Sequence, residues 1–180
     1  MITPVTPLSP RATGRGVARV TLSFSLLVVA YFVLPLDWLA DVPAIVTLPL
    51  ALVVFALLLL YQVRAIIAAP YPGMQALEAL GVLAPLFLLI FSATYYVMGQ
   101  KDPSSLSEDL SRLDALYFTL TTFATVGFGD VTAVTPQSRV VVSIQMFLDL
   151  IVLGAGIKVI LGAVRRGRER ERPSTEELDD

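Results

Sequence analysis

The sequence contains no cysteine and no histidine. Without cysteine, the chain can form neither a disulfide nor a thiolate metal site. Without histidine, it lacks the side chain that most often acts as a base or a metal ligand near neutral pH. These absences remove most of the usual tools of catalysis. We therefore predict that the protein is not an enzyme, and we expect neither a cofactor nor a nucleic-acid partner.

Charge is also scarce. Only 16% of the 180 residues are charged and 56% are hydrophobic, whereas apolar residues make up about 45 to 50% of an ordinary soluble domain. This balance is typical of an integral membrane protein in contact with lipid. The net charge of −2 says little, because the distribution of charge matters more than its sum in such a protein.

Long uncharged runs predict an all-α transmembrane fold with four spans, since about 20 apolar residues cross about 30 Å of hydrocarbon. The predicted spans cover residues 17–36, 43–64, 74–98 and 139–164. The first two form a hairpin within residues 17–73, and the last two belong to a second domain, residues 74–164. Residues 1–16, which are rich in proline and glycine, are predicted to be a disordered tail, and residues 165–180 a charged tail.

Basic residues set the predicted orientation. With both tails on one side, that side holds ten of the 13 Lys and Arg residues and the other side holds three. An excess of Lys and Arg marks the cytoplasmic side. We therefore expect a multi-pass membrane protein with both termini in the cytoplasm.

The segment Thr121–Asp130, which reads TTFATVGFGD, lies between the third and fourth predicted spans. Gly127 and Gly129 lack a Cβ and tolerate positive φ angles, so successive carbonyl groups can face one side. A ring of such carbonyl oxygens, contributed by four subunits, replaces the water shell of a potassium ion in a selectivity filter. The alternative, a glycine turn of a soluble protein with an acidic cap, does not suit a position between two spans.

Residues 76–164 resemble the pore domain of tetrameric potassium channels. Thr122, Thr125, Gly127, Gly129 and Asp130 fit the family pattern T-x-x-T-x-G-x-G-D. The resemblance implies a re-entrant pore helix over residues 114–124, for which Asp114 offers an N-cap oxygen, followed by a filter over residues 125–129. It also implies a homotetramer, because one chain supplies too few oxygens to surround an ion.

The resemblance further assigns roles to single residues. The carbonyls of Thr125, Val126, Gly127 and Phe128, together with the Thr125 hydroxyl, would bind K⁺ in a filter that Gly129 completes.

Thr121, Thr122 and Asp130 would support this filter. Thr121 stands where some relatives carry a glutamate that pairs with the filter aspartate, Phe118 offers no ring donor, and Phe128 replaces the more frequent tyrosine. We therefore expect Asp130 to have few partners and the filter to be weakly braced.

The fourth predicted span carries an aspartate near its middle, Asp149, where a charge costs about 2.5 to 3.5 kcal/mol on insertion scales. Helical spacing places Gln145 and Asp149 on one face. We predict that this face lines the cavity and attracts cations, and an interhelical hydrogen bond is the alternative. Because Asp149 occupies the position of the family's hinge glycine, bending shifts to Gly154 or Gly156, unless these glycines only allow close helix packing.

These observations and the resemblance predict a potassium-selective channel of the plasma membrane that conducts passively through a tetrameric pore. One alternative is a weakly selective cation channel or a potassium-transporter subunit. Another is a non-conducting regulatory membrane subunit with a pore-like fold.

Overall fold

The computed structural model describes residues 10–36, 42, 44–69 and 72–171. These residues form the helices α1 (Pro10–Val33), α2 (Ala44–Ala68), α3 (Pro72–Lys101), α4 (Arg112–Phe123) and α5 (Pro136–Glu171). No strand occurs in the part of the chain that the structure describes, where Leu106 and Ala133 form one isolated bridge. The prediction of an all-α fold is therefore confirmed.

Three helices are long and apolar enough to cross a membrane. The qualifying stretches are Val46–Ala68, Gln75–Lys101 and Pro136–Lys158. They correspond to the second, third and fourth predicted spans. The apolar stretch of α1, Ala18–Val33, is shorter than these, so length and composition support three of the four predicted spans.

Helix α1 begins earlier than the sequence suggested. The predicted disordered tail is wrong for residues 10–16, which are helical, while residues 1–9 lie outside the described part. Proline suits the first turn of a helix, and the glycines serve packing: a Cβ on Gly16 would collide with the Glu78 carboxylate. Gly81 likewise makes room for Val20. Small residues of this kind let α1 approach α3 closely.

Of the predicted charged tail, residues 165–171 continue α5 and residues 172–180 lie outside the described part.

Helix α3 forms the centre of the subunit and contacts each of the other four helices. Phe87, Phe91 and Tyr95 recur every fourth residue and so share one face of α3. Their ring centroids are 5.1 Å and 6.4 Å apart in sequence order, and the Phe118 ring of α4 meets Tyr95 edge-on at 4.9 Å. All four side chains are buried. This aromatic row holds α4 against α3.

Helix α2 packs on the same row through Phe55, whose ring centroid lies 5.7 Å from that of Phe87. Its opposite face is apolar and exposed, with Val53, Leu57 and Leu60 at the surface. An apolar face of this kind suits contact with lipid or with another subunit.

The start of α4 differs from the prediction. Ser111, not Asp114, is the N-cap residue: its hydroxyl accepts from the Asp114 backbone N–H at 3.2 Å. The Asp114 carboxylate in turn accepts from the Ser111 N–H at 3.0 Å, which completes a capping box. The additional hydrogen bond from the Ser111 hydroxyl lowers the pKa of Asp114. Asp114 therefore contributes to the cap from the third helical position.

Candidate functional site

The C-terminal end of α4 leads directly into the 125–129 loop. The backbone N–H of Thr125 donates to the Thr122 carbonyl at 3.0 Å. The N–H groups of Val126 and Gly127 both donate to the Thr121 carbonyl, at 2.9 Å and 3.2 Å. Three consecutive N–H groups thus point back onto the helix end, where carbonyls lack helical partners. The helix end thereby fixes the path of the loop.

Positive φ angles alternate along this loop. They occur at Thr125 (56°), Gly127 (55°) and Gly129 (80°). A Cβ at either glycine would meet no atom within 4 Å, so glycine is needed for its conformation and not for space. For Thr125, the left-handed region costs about 1 to 2 kcal/mol. Strain of this kind persists mainly at functional sites.

The carbonyls of this loop face no donor in the described part of the chain, whereas the N–H groups of Thr125, Val126 and Gly127 are hydrogen-bonded. Within residues 10–36, 42, 44–69 and 72–171, no donor reaches the carbonyls of residues 125–129. The side chains of Val126 and Phe128 are 54% and 69% exposed. Non-helical backbone at membrane depth is tolerated only where protein encloses it or water meets it. One side of this loop is therefore open for further protein, water or ions.

Asp130 has a partner that the sequence analysis missed. The Tyr117 hydroxyl donates to Asp130 Oδ2 at 2.6 Å, and this bond lowers the pKa of Asp130 and raises the pKa of Tyr117. The Tyr117 ring also stacks on Phe128, with centroids 6.3 Å apart and planes 5° from parallel. The expectation of few partners is wrong, because it considered Phe118 and Thr121 only. Tyr117 precedes Thr121 by four residues, a helical spacing that could have identified it.

Thr121 and Thr122 support the loop mainly through their backbone carbonyls, which accept its N–H groups. Their hydroxyls both donate to the Phe118 carbonyl, at 3.0 Å and 2.9 Å. Thr121 is buried and Thr122 half-buried. The two hydroxyls are therefore occupied within α4.

The segment after Asp130 is tied to the loop that follows α3. Ser107 and Thr132 exchange two hydrogen bonds, from the Ser107 N–H to the Thr132 carbonyl and from the Thr132 N–H to the Ser107 hydroxyl, each 2.9 Å long. The Val134 N–H donates to the Ser105 carbonyl at 3.0 Å. Both ends of the 125–129 loop are thus anchored in the same subunit.

Residues 83–166 match a family model described as "Ion channel". The match contains most of α3, all of α4, the 125–129 loop and most of α5. Residues 83–166 belong to an ion-channel family. The resemblance to a channel pore domain is confirmed, and the apolar helices make the chain a multi-pass membrane protein. No solved structure matches the chain significantly.

A buried polar cluster connects α3, α4 and α5. We call residues 83–166, which match the family model and contain most or all of these helices, the ion-channel segment. Gln145 of α5 accepts from the Tyr95 hydroxyl of α3 at 2.6 Å. Its amide Nε2 donates to the Thr119 carbonyl of α4 at 3.2 Å and to Asp149 Oδ2 at 3.4 Å. Gln145 is fully buried and Asp149 is 2% exposed. Gln145 therefore links α5 to α3 and to α4, the helix that leads into the 125–129 loop.

The prediction that Gln145 and Asp149 line the cavity is wrong. A cavity-lining side chain would be exposed in a single subunit, as Phe147 and Leu150 of α5 are. Gln145 instead makes interhelical hydrogen bonds. Asp149 does not make the interhelical bond that was its alternative: among the described residues it accepts from Gln145 of the same helix. Among the described residues, Asp149 Oδ1 has no hydrogen-bond partner. Helical spacing shows which residues share a face, but it does not show which face meets the pore axis.

Gly154 and Gly156 of α5 differ in their surroundings. Gly154 is exposed, and a Cβ there would meet nothing within 4 Å. Gly156 is buried, and its Cβ would lie 3.8 Å from Leu80, an ordinary contact distance. Neither position in the ion-channel segment requires glycine for space within the subunit. Their role as a hinge stays a prediction.

Proposed function

We propose that the protein is a potassium-selective channel that conducts passively through a homotetrameric pore. The observation that carries this proposal is the alternation of positive φ angles at Thr125, Gly127 and Gly129. Alternation lets successive carbonyls turn to one side of the loop. Together with the Thr-Val-Gly-Phe-Gly sequence, this favours K⁺ coordination by the carbonyls of residues 125–128 and by the Thr125 hydroxyl.

The exposure of the loop supports assembly. A filter left open to lipid would violate the requirement that irregular backbone be enclosed. Four copies around one axis would enclose it and would supply the ring of oxygens that a single chain lacks. The C-terminal end of α4 would then direct its partial negative charge toward the conduction path.

We further propose that α1 is a fourth span and that both termini are cytoplasmic. The whole of α1 contains 24 residues, which at about 1.5 Å per residue gives about 36 Å. The apolar stretch Ala18–Val33 would lie in the hydrocarbon core, with Arg19 reaching the interface at its start, and the preceding turns of α1, which carry Arg11 and Arg15, would lie at the interface. The distribution of Lys and Arg supports this orientation, and the resemblance to channel pore domains favours a plasma-membrane location.

Ion flux from liposomes tests the proposal. Purified protein is reconstituted with opposing K⁺ and Na⁺ gradients, and the reversal potential is measured. A value near the K⁺ equilibrium potential is expected, with native mass spectrometry reporting four chains. An intermediate potential would indicate a weakly selective cation channel, and no flux would indicate a non-conducting subunit; either result would refute the proposal.

Two glycine variants supply a matched comparison. Gly127→Ala places a Cβ at φ 55° and is expected to reduce K⁺ flux strongly, because the left-handed region is unfavourable for alanine. Gly99→Ala adds the same methyl group to helix α3, where the nearest side-chain atom is 3.9 Å away, and should conduct normally. Equal flux in both variants would mean that the 125–129 loop does not form the conduction path.

A further inference from the structure

Arg112, the first residue of α4, reaches the end of α1. Its Nη1 donates to the carbonyls of Tyr31 at 2.8 Å, Phe32 at 3.0 Å and Leu34 at 2.8 Å. α1 ends at Val33, so these are carbonyls at a helix C-terminus, where backbone acceptors lack partners and carry partial negative charge. The guanidinium therefore caps α1 from a different helix.

The contact is reciprocal and includes α3. The Tyr31 hydroxyl donates to the Arg112 carbonyl at 2.7 Å, and the buried Ser92 hydroxyl of α3 donates to the Tyr31 hydroxyl at 2.7 Å. Arg112 Cζ also lies 5.2 Å from the centroid of the Tyr96 ring, within cation–π range. We call these four residues, Tyr31, Ser92, Tyr96 and Arg112, the Arg112 clamp.

The clamp lies at one end of α4 and the 125–129 loop at the other. Twelve helical residues separate them by about 18 Å. At the far end, the Thr121 carbonyl receives the N–H groups of Val126 and Gly127. A displacement of the clamped end would therefore be transmitted along one short helix to the carbonyls proposed to bind K⁺.

We infer that Arg112 is a positioning residue for the filter, and that α1, which lies outside the ion-channel segment, holds the pore helix in its conducting position through the Arg112 clamp. This inference rests on the proposed function. It assigns α1 a role in controlling conduction at the filter.

The test uses full-length protein in bilayers and measures single-channel conductance, open probability and the rate of current decay. Arg112→Gln removes the charge and most of the donors, and Arg112→Lys keeps the charge but loses the planar fork. We expect about tenfold faster current decay in Arg112→Gln, the scale of losing charge-assisted hydrogen bonds, and a smaller effect of the same sign in Arg112→Lys. Lys101→Gln, which removes one exposed positive charge at the end of α3, is the control and should decay like the wild type.

Potassium provides the readout that distinguishes positioning from folding. Ions that bind the conducting filter stabilise it by mass action, so raising external K⁺ should slow the decay of Arg112→Gln toward the wild-type rate. A defect in α1 packing alone would not respond to K⁺. Decay that is unchanged in Arg112→Gln, or accelerated decay that K⁺ does not slow, would overturn the inference.

Tyr31→Phe keeps the inference testable if Arg112→Gln does not assemble. It preserves the ring and removes only the hydroxyl that donates to Arg112, so tetramers should form at wild-type yield and decay faster than the wild type. Wild-type decay in Tyr31→Phe tetramers would overturn the inference while leaving the proposed function intact. Absence of K⁺ flux in the wild-type protein would instead refute the proposed function itself.

Discussion

Replacing Gln145 by leucine should destabilise the subunit because it breaks the buried polar cluster. The substitution removes the acceptor of the Tyr95 hydroxyl and the donor to Asp149 Oδ2. All three side chains are buried, so water cannot replace the lost partners. The Thr119 carbonyl loses a second donor, although the helix still offers it one.

The size of the effect follows from the number of groups left without partners. Each buried polar group without a partner costs about 1 to 3 kcal/mol, which for two groups gives about 2 to 6 kcal/mol. Interhelical hydrogen bonds in membrane proteins contribute less, about 0.6 kcal/mol on average and up to about 1.7 kcal/mol, because the unfolded chain in the membrane also finds partners. We therefore expect Gln145→Leu to lower the free energy of unfolding by about 2 kcal/mol, the low end of the first range.

A double-mutant cycle isolates the bond between Tyr95 and Gln145. Tyr95→Phe combined with Gln145→Leu replaces both partners by apolar groups, a change that can be nearly neutral. The double variant should thus be more stable than the sum of the single effects predicts, with a coupling energy of about 0.6 to 1.7 kcal/mol. Unfolding in mixed micelles, followed by circular dichroism, measures all four proteins.

The exposed Gln137 of the same helix provides the control. Gln137→Leu should change the free energy of unfolding by less than about 0.5 kcal/mol, as is usual for surface substitutions. Purely additive effects of Tyr95→Phe and Gln145→Leu, within about 0.3 kcal/mol, would refute the reasoning. So would a Gln145→Leu protein as stable as the Gln137→Leu control.

Other predictions concern Asp130, the cap of α4 and the packing of α1. The Tyr117 hydrogen bond lowers the pKa of Asp130, so the stability contributed by the ionised carboxylate is present above its ordinary pKa and is lost as pH falls through the lowered value. Tyr117→Phe should move this loss to higher pH in a pH titration of the protein's stability, and an unchanged midpoint would contradict the assignment. Ser111→Ala removes the N-cap of α4 and should cost about 1 kcal/mol in the same unfolding assay; no measurable loss would mean that the cap is not used. Gly81→Ala places a Cβ 2.6 Å from a side-chain carbon of α1 and should cost about 1 to 3 kcal/mol through overpacking, whereas Gly154→Ala, with open space around the Cβ, should not destabilise. Equal stability of these two glycine variants would argue against close packing of α1 on α3.

Local signals predicted the unusual backbone of the 125–129 loop. Two glycines separated by one residue require a special backbone, and positive φ angles do occur at Gly127 and Gly129. The third positive φ angle is at Thr125, where the residue type gives no sign of it. It depends on the anchoring of the neighbouring N–H groups to the end of α4, which no residue type reveals.

Contacts between distant segments were harder to predict. Ser111 and Asp114 could each cap α4, and only the backbone geometry distinguishes the N-cap from the third helical position. From the sequence alone, Arg112 is one of the three basic residues on the side opposite the two tails. Its partners on α1 could not be identified, because they lie about 80 positions earlier in the chain. Asp149 belonged to a correctly identified helical face whose direction in the subunit was unknown.

The sequence by itself determined the membrane class, the all-α fold, the approximate helices and the position of the 125–129 loop, because apolar run length and glycine spacing are local properties of the chain. Only the tertiary structure decided that Asp149 is buried beside Gln145 and that Arg112 caps α1. Each of these contacts depends on how helices rotate and pack around α3, which is set by the fit of many side chains together and not by any one stretch of sequence.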